Sequence, residues 1–167
     1  MPRADIEQAD VLASVVTQLQ SALSLTDRQC YPVARAQEVP SIPPGGDYWL
    51  TVAGGSGQFI DEEQAAGNVT EDTEIIVSGY TRIKTDSTGH DACLLMDDAR
   101  GLLAIKKKIL GALVGQDLTD EGGDTFLRQW LHARRSDAPE LVIAGPDGVN
   151  CGVVRVIFGT IFDWKLT

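Results

Sequence analysis

The residues of this chain whose types and spacing could do chemistry begin with His90 and Cys93, in the run HDAC. A histidine and a cysteine so close together could form half of a structural zinc site, which takes four nitrogen or sulfur ligands. The remaining candidates are Cys30, His132 and Cys151, which are scattered along the chain without a ligand spacing. The sequence therefore favours a structural role for these side chains, and no metal is expected.

Nucleophilic catalysis is not expected from this chain either. Neither histidine stands in an arrangement of serine, cysteine or aspartate that indicates a catalytic triad. Ser56 lies in the run GGSG, which lacks the G-x-S-x-G pattern of a nucleophile elbow. The same run matches neither common phosphate-binding glycine pattern, so residues 54–57 are predicted to form a turn or a flexible loop. The chain is therefore predicted to be neither an enzyme nor a cofactor-binding protein.

Acidic residues dominate the charge of the chain, with 24 aspartates and glutamates against 14 lysines and arginines and a formal net charge of −10. This balance argues against an extended phosphate-binding surface, because affinity for nucleic acid comes mostly from lysine and arginine. The acidic runs at 61–63 and 97–98 offer oxygen ligands for a divalent cation. Solvated loop charge and charge at a helix N-terminus are the simpler explanations of these two runs.

Length and composition predict a single domain over residues 1–167, since 43% of the chain is hydrophobic and can fill one core. No stretch approaches the roughly 20 apolar residues of a membrane span, and the first residues, MPRADIEQAD, lack the apolar segment of a secretion signal. Three cysteines without C-x-x-C spacing are typical of buried, reduced thiols. We therefore expect a protein of a reducing compartment that makes no membrane contact.

Residues 152–166 have the most regular pattern in the chain. Alternate positions, beginning with Val154, Val156 and Phe158, are apolar, which predicts a long strand with one buried face. Gly159 is predicted to mark a bend or a bulge in that strand. A strand of this length requires a sheet, which the preceding segments must supply.

Periodicity elsewhere predicts the other elements of this sheet and its cover. Helices are predicted over 4–25, 91–114 and 125–135, and further strands over 47–53, 74–83 and 140–144. The polar segments 54–73 and 115–124 are predicted to be long loops that carry partner contacts. Together the elements predict an α+β fold, in which a twisted, mainly antiparallel sheet carries helices on one face.

Several segments follow one another in a distinctive order: YP and VPSIPP in a proline-rich stretch, then DYWLTVAGG, EIIVSGYTRI, LLMDDARGLLAIKKKILGALVGQDL and the terminal FGTIFDWKL. In this order and composition they resemble the tail terminator, or tail-completion, proteins of long-tailed bacteriophages and their prophage relatives. The resemblance covers nearly the full length of the chain. It contains no catalytic motif.

The resemblance implies an α+β domain that assembles into a homo-oligomeric ring, typically a hexamer. Such a ring caps the finished tail tube at its head-proximal end, contacts the major tail tube protein and offers a surface to the head-closure or neck protein. It belongs to the virion, after assembly in the host cytoplasm, and the genome DNA passes through its channel without specific binding. One alternative is another neck ring, such as a head-closure or adaptor protein. A small hydrolase or a cytosolic metal-binding protein is a third hypothesis from a different class.

If the chain surrounds a DNA channel, its acidic side chains have a use there, because a wall that binds phosphate would retard the DNA. The carboxylates of the two predicted loops are the candidates for this inner surface. They are Asp61, Glu62, Glu63, Glu71, Asp72, Asp120 and Glu121. The alternative is that the negative charge only keeps the free subunit in solution.

Overall fold

A computed structural model of the chain describes residues 8–36, 48–60, 68–82, 101–119, 125–144 and 149–165. These residues form two helices, α1 (Gln8–Leu23) and α2 (Leu102–Leu113). They also form eight strands, which are β1 (Cys30–Pro32), β2 (Tyr48–Phe59), β3 (Asn68–Arg82), β4 (Asp117–Thr119), β5 (Thr125–Trp130), β6 (His132–Ser136), β7 (Glu140–Ala144) and β8 (Val149–Lys165).

Six of the described strands form one mixed sheet in the order β1-β2-β3-β8-β6, and β7 pairs with β8 along the same edge as β6. Strand β1 runs parallel to β2, and the other pairs in this sheet are antiparallel. The short strands β4 and β5 form a separate antiparallel pair. Sheet and helices together confirm the predicted α+β fold.

The centre of the sheet is the pairing of β3 with β8, which runs without interruption from Asn68 opposite Lys165 to Arg82 opposite Cys151. The long C-terminal strand predicted from alternation is therefore confirmed. The prediction that only one of its faces is buried is wrong over residues 151–160. Val156 and Phe158 are buried on one face and Val153 and Ile157 on the other. The central position of β8 in the sheet explains why an apolar residue is needed on both sides.

Both helices pack on the same face of the sheet through apolar residues three or four positions apart. Helix α1 contributes Val11, Val15 and Leu19 to the main core, and α2 contributes Ile105 and Ile109. The strand residues of the same core are Leu50, Val52, Ile75, Val77, Val154, Val156 and Phe158. The predicted first helix is confirmed, and the second is confirmed over α2, whereas its predicted residues 91–100 lie outside the described part of the chain.

Helix α2 lies unusually close to the sheet at Gly79. A Cβ atom at this position would lie 3.3 Å from Ile109 Cδ1 and from Leu50 Cδ2, and much closer to the Cγ2 atom of Ile105. The absence of a side chain on Gly79 is therefore what allows Ile105 to rest directly on β3.

The opposite face of the sheet has a smaller apolar cluster of its own. The rings of Trp49 and Tyr80 are stacked, with centroids 5.5 Å apart and planes 9° from parallel. Cys151 and Val153 complete this cluster, and Val142 of β7 packs against it. This cluster binds the β2, β3, β7 and β8 strands together on the side away from the helices.

The helix predicted over 125–135 is wrong, because this segment forms β5 and β6. Its residues pair with two different partners, β5 with β4 and β6 with β8. The short apolar run containing Phe126, Trp130 and Leu131 is compatible with either a helix or a strand, and the available edge of β8 decides between them.

The loop predicted over 54–73 is wrong for most of its length, because β2 continues to Phe59 and β3 already begins at Asn68. Residues 61–67 of that prediction lie outside the described part of the chain. In the second predicted loop, Asp117–Thr119 forms β4, and residues 120–124 lie outside the described part. Pairing of residues 57–59 with β3 and of residues 68–73 with β8 overrides the weak strand preference of the first segment.

Burial makes the two described thiols unreactive. Desolvation raises the pKa of Cys30 to about 12 from its ordinary value of 9.0, and burial also raises the pKa of Cys151, although the nearby charge of Arg82 lowers it. Because the thiolate is the nucleophile, a Cys93→Ser variant should not react with Ellman's reagent (DTNB) at pH 8 in the folded state. Both thiols should react after unfolding in guanidinium. Rapid reaction of the folded variant would contradict the burial of these cysteines.

Candidate assembly surface

The strands β2, β3 and β8 continue past the main core as a three-stranded extension, which we call the arm. It consists of residues 54–59, 68–73 and 160–165. None of the side chains that the structure describes in these ranges, at 54–59, 69–73, 160 and 161, belongs to the main core cluster. The β2 and β3 parts of the arm, residues 54–59 and 68–73, are accordingly polar and in part glycine-rich.

The arm begins at a bulge in β2. Gly54 pairs with Ile75, but the next pair is Gly57 with Thr73, so β2 has one residue more than β3 at this point. The carboxyl group of Glu71 lies where a Cβ atom of Gly57 would be. The glycines of this run thus make room for side chains of β3, and the run forms a strand with a bulge where a turn or flexible loop was predicted.

A group of charged residues, which we call the arm-base cluster, lies on the face of the sheet opposite the helices. Its centre is the largely buried Glu74, which accepts hydrogen bonds from Ser56 Oγ at 3.0 Å and from Arg135 Nη1 at 2.8 Å. Arg134 forms an ion pair with Asp72 and lies 3.9 Å from Glu74. The cluster joins β2, β3 and β6 across β8. Because a buried carboxylate without partners is costly, these contacts fix β6 relative to the arm.

The arm-base cluster bears on two of the residues proposed for a DNA-facing surface, Asp72 and Glu71. Asp72 is paired with Arg134, so its charge is balanced within the subunit. Glu71 is its neighbour on β3 and therefore points to the other face, where it lies over Gly57. The two carboxylates therefore lie on opposite faces of the arm. The other five proposed residues, Asp61, Glu62, Glu63, Asp120 and Glu121, lie outside the described part of the chain.

Gly159 allows Arg134 to cross β8, because a Cβ atom there would lie 2.5 Å from Arg134 Cζ. Gly159→Ala should therefore displace Arg134 and weaken its pairing with Asp72. Because these side chains are 26% and 40% exposed, we expect a loss of less than about 1 kcal/mol in the free energy of unfolding. In an Arg134→Ala background, Gly159→Ala should lower the free energy of unfolding no further. Urea unfolding of the original protein, the two single variants and the double variant measures these differences. Equal costs in both backgrounds would contradict this role of Gly159.

An apolar cavity of about 630 Å³, which we call the side cavity, lies where the end of α2 meets β6 and β8. The described residues that line it come from three separate segments. They are Gly115, Gln116, Asp117, Leu131, His132, Thr160 and Ile161. Ile161 and the adjoining Val114 are 37% and 48% exposed, so the cavity opens onto a surface that is itself apolar. Such an opening is suited to an apolar group from outside the subunit.

The candidate metal ligands identified from the sequence are not brought together where the structure describes them. Cys30 belongs to the main core, and Cys151 belongs to the cluster on the other face of the sheet. His132 lines the side cavity. Within the described ranges, no three His, Cys, Asp or Glu residues are placed to share a metal ion. His90 and Cys93 lie outside these ranges.

The described residues define an α+β protein whose sheet extends past its helices, with a charged cluster at the base of the arm and an apolar cavity beside it. The sequence analysis did not identify the side cavity, because no single segment contains it.

Neither of the two helices described is long and apolar enough to cross a membrane.

No protein-family model and no curated protein matches this chain. Among solved structures, the chain is similar to one in the virion of a native gene transfer agent particle. The two chains are 15% identical, with a TM-score of 0.42. The similarity covers 92% of this chain and 96% of that chain.

Proposed function

We propose that this chain is a structural protein of a virion, and that it forms a ring that caps the tail tube and joins it to the head through the neck. The proposal rests first on the resemblance of its sequence segments to tail terminator proteins. Three of these segments, DYWLTVAGG, EIIVSGYTRI and FGTIFDWKL, lie largely in the adjacent strands β2, β3 and β8. The run KKKILGAL lies in α2, which packs on them. The resemblance therefore concerns one continuous part of the fold.

The observation that carries a role in assembly is a pair of exposed apolar features on opposite sides of the arm. Phe59 is more than half exposed near the end of β2, and the side cavity opens beside β8. Isolated exposed apolar residues are common, but an exposed aromatic residue together with an open apolar cavity is typical of a protein that binds other proteins. These two features favour an assembly role.

The proposed ring would surround the channel through which the genome DNA passes. With a net charge of −10 for each chain, such a ring would repel phosphate and would not bind DNA specifically. Asp61, Glu62, Glu63, Glu71, Asp120 and Glu121 remain the proposed channel residues, and Asp72 is less suited because Arg134 balances its charge. Within about 8–10 Å of these side chains the repulsion would act on the passing DNA even in salt.

The partner that the protein binds separates the tail terminator from the alternative neck protein. The purified protein should co-sediment with isolated tail tubes that lack their cap, and it should bind only at one end of each tube when labelled with gold. Isolated portal rings are the matched control and should not bind it. Binding to portal rings but not to tubes would contradict the tail terminator proposal and favour an adaptor protein.

A further inference from the structure

We propose that Phe59 of one copy of this chain inserts into the side cavity of the next copy, so that identical subunits are joined head to tail. This inference rests on the proposed ring and names the contact that would build it. The occupant of the side cavity is thus a second copy of the chain.

Phe59 has the properties of an inserted group. It is 57% exposed although it is aromatic. It pairs with Glu71, next to Thr70 and Asp72, so its surroundings on the arm are polar. The backbone N–H of the adjoining Ile60 donates to the carbonyl oxygen of Thr70 at 2.9 Å, which holds the end of β2 against β3. The ring of Phe59 is therefore presented on a paired strand and does not lose the freedom of a loop when it binds.

The side cavity has the properties of a receiving site. Its walls are largely apolar, and an inserted aromatic side chain buries about 150–250 Å² of surface. A cavity of about 630 Å³ can therefore accept Phe59 together with part of its neighbour Ile60. The lining residue Ile161 is 37% exposed and supplies further apolar surface, which would exclude water around the inserted ring.

Phe59 cannot fill the cavity of its own subunit. In the register of the arm, Phe59 pairs with Glu71 and Glu71 pairs with Phe162, so β3 lies between Phe59 and β8. Two strand spacings amount to about 10 Å, and the cavity lies beside β8. Phe59 and the cavity are therefore on opposite sides of one arm, at nearly the same level along the strands. When a protruding group and its receiving site lie on opposite sides of a subunit, the contact between copies is heterologous, that is, head to tail. Such a contact repeats in one direction, and it closes into a ring when the rotation from one subunit to the next allows it.

A disulfide cross-link between copies tests this contact directly. The variant carries Gln58→Cys, which leaves the inserted Phe59 in place, and Gln116→Cys in a Cys93→Ser background, where Cys30 and Cys151 are buried. Oxidation of the assembled protein should give a ladder of covalent oligomers on a denaturing gel, ending at the number of subunits in the ring. The matched control replaces Gln116→Cys by Leu103→Cys, an exposed position near the start of α2, about 18 Å from the cavity end of that helix. The control should remain monomeric on the gel.

A second variant, Phe59→Glu, should lower the assembled fraction at least tenfold while its thermal unfolding curve stays that of the original protein. A ring that forms with Phe59→Glu and shows no cross-link in the cysteine variant would overturn this inference and leave the proposed function intact. Cross-linked open chains that never close would support the contact and contradict the proposed ring. Loss of tube binding by Phe59→Glu at unchanged oligomer mass would also overturn the inference, because Phe59 would then contact a different protein.

Discussion

Phe158→Ala is expected to lower the free energy of unfolding by about 3–5 kcal/mol, the largest effect of any single substitution considered for this chain. Phe158 is fully buried in the main core, on the face of β8 that both helices cover. Truncation removes the apolar contacts of the ring and leaves a cavity that the paired strand β8 cannot close. Because domains of this size are stable by only about 5–15 kcal/mol, much of the protein should be unfolded at moderate urea concentrations. Urea unfolding followed by circular dichroism measures the loss.

The same truncation at Phe59 is the matched control. Phe59→Ala removes an identical group from an exposed position and should change the free energy of unfolding by less than about 0.5 kcal/mol. Its effect should appear only in assembly. Equal destabilisation by the two substitutions would mean that Phe59 is part of a core within the subunit, and would contradict its role as an exposed contact.

Gly79→Val is expected to lower the free energy of unfolding by about 3 kcal/mol, at the upper end of the usual cost of overpacking. The new side chain would overlap Ile105 and crowd Ile109 and Leu50. Helix α2 must then move away from β3, which exposes part of the main core. The thermal midpoint should fall accordingly, and differential scanning calorimetry measures the change.

Two further variants separate crowding from a general effect of removing glycine. Gly111→Ala lies on the exposed side of α2, where an added Cβ meets nothing within 4 Å, and should stabilise the protein by up to about 1 kcal/mol. Gly79→Val should cost less in an Ile105→Ala background, because that truncation makes room. If Gly79→Val and Ile105→Ala lowered the free energy of unfolding by additive amounts, the close approach of α2 to Gly79 would be contradicted.

The elements that could be predicted from the sequence are those with one apolar face or stripe. Helix α1 and the central part of β2, β3 and β8 lie in the core, so burial imposes a regular pattern on their residues. The β2 and β3 parts of the arm, residues 54–59 and 68–73, could not be predicted, because they are polar and lack an apolar pattern. Their glycines indicate a loop when taken alone, whereas the structure shows that Glu71 and Glu74 of β3 occupy the space of their missing side chains.

The segment 125–135 was mispredicted for a related reason. Its arginines, Arg134 and Arg135, suit the last turn of a helix, but their partners are Asp72 and Glu74, about sixty residues earlier in the chain. The side cavity is likewise assembled from segments around residues 116, 132 and 161. Only Phe59, an aromatic residue in a polar stretch, gave a signal in the sequence that could have led to the assembly surface.

The mass of the protein bound at the end of isolated tail tubes tests the central claim most directly. Native mass spectrometry of cross-linked tube ends, or rotational averaging of electron micrographs, would count the copies. The proposed function predicts a closed ring, with six copies of the 17.9 kDa chain as the number implied by the resemblance to tail terminators. One copy, or a two-fold dimer, at each tube end would contradict the account, because neither is built by a repeating head-to-tail contact.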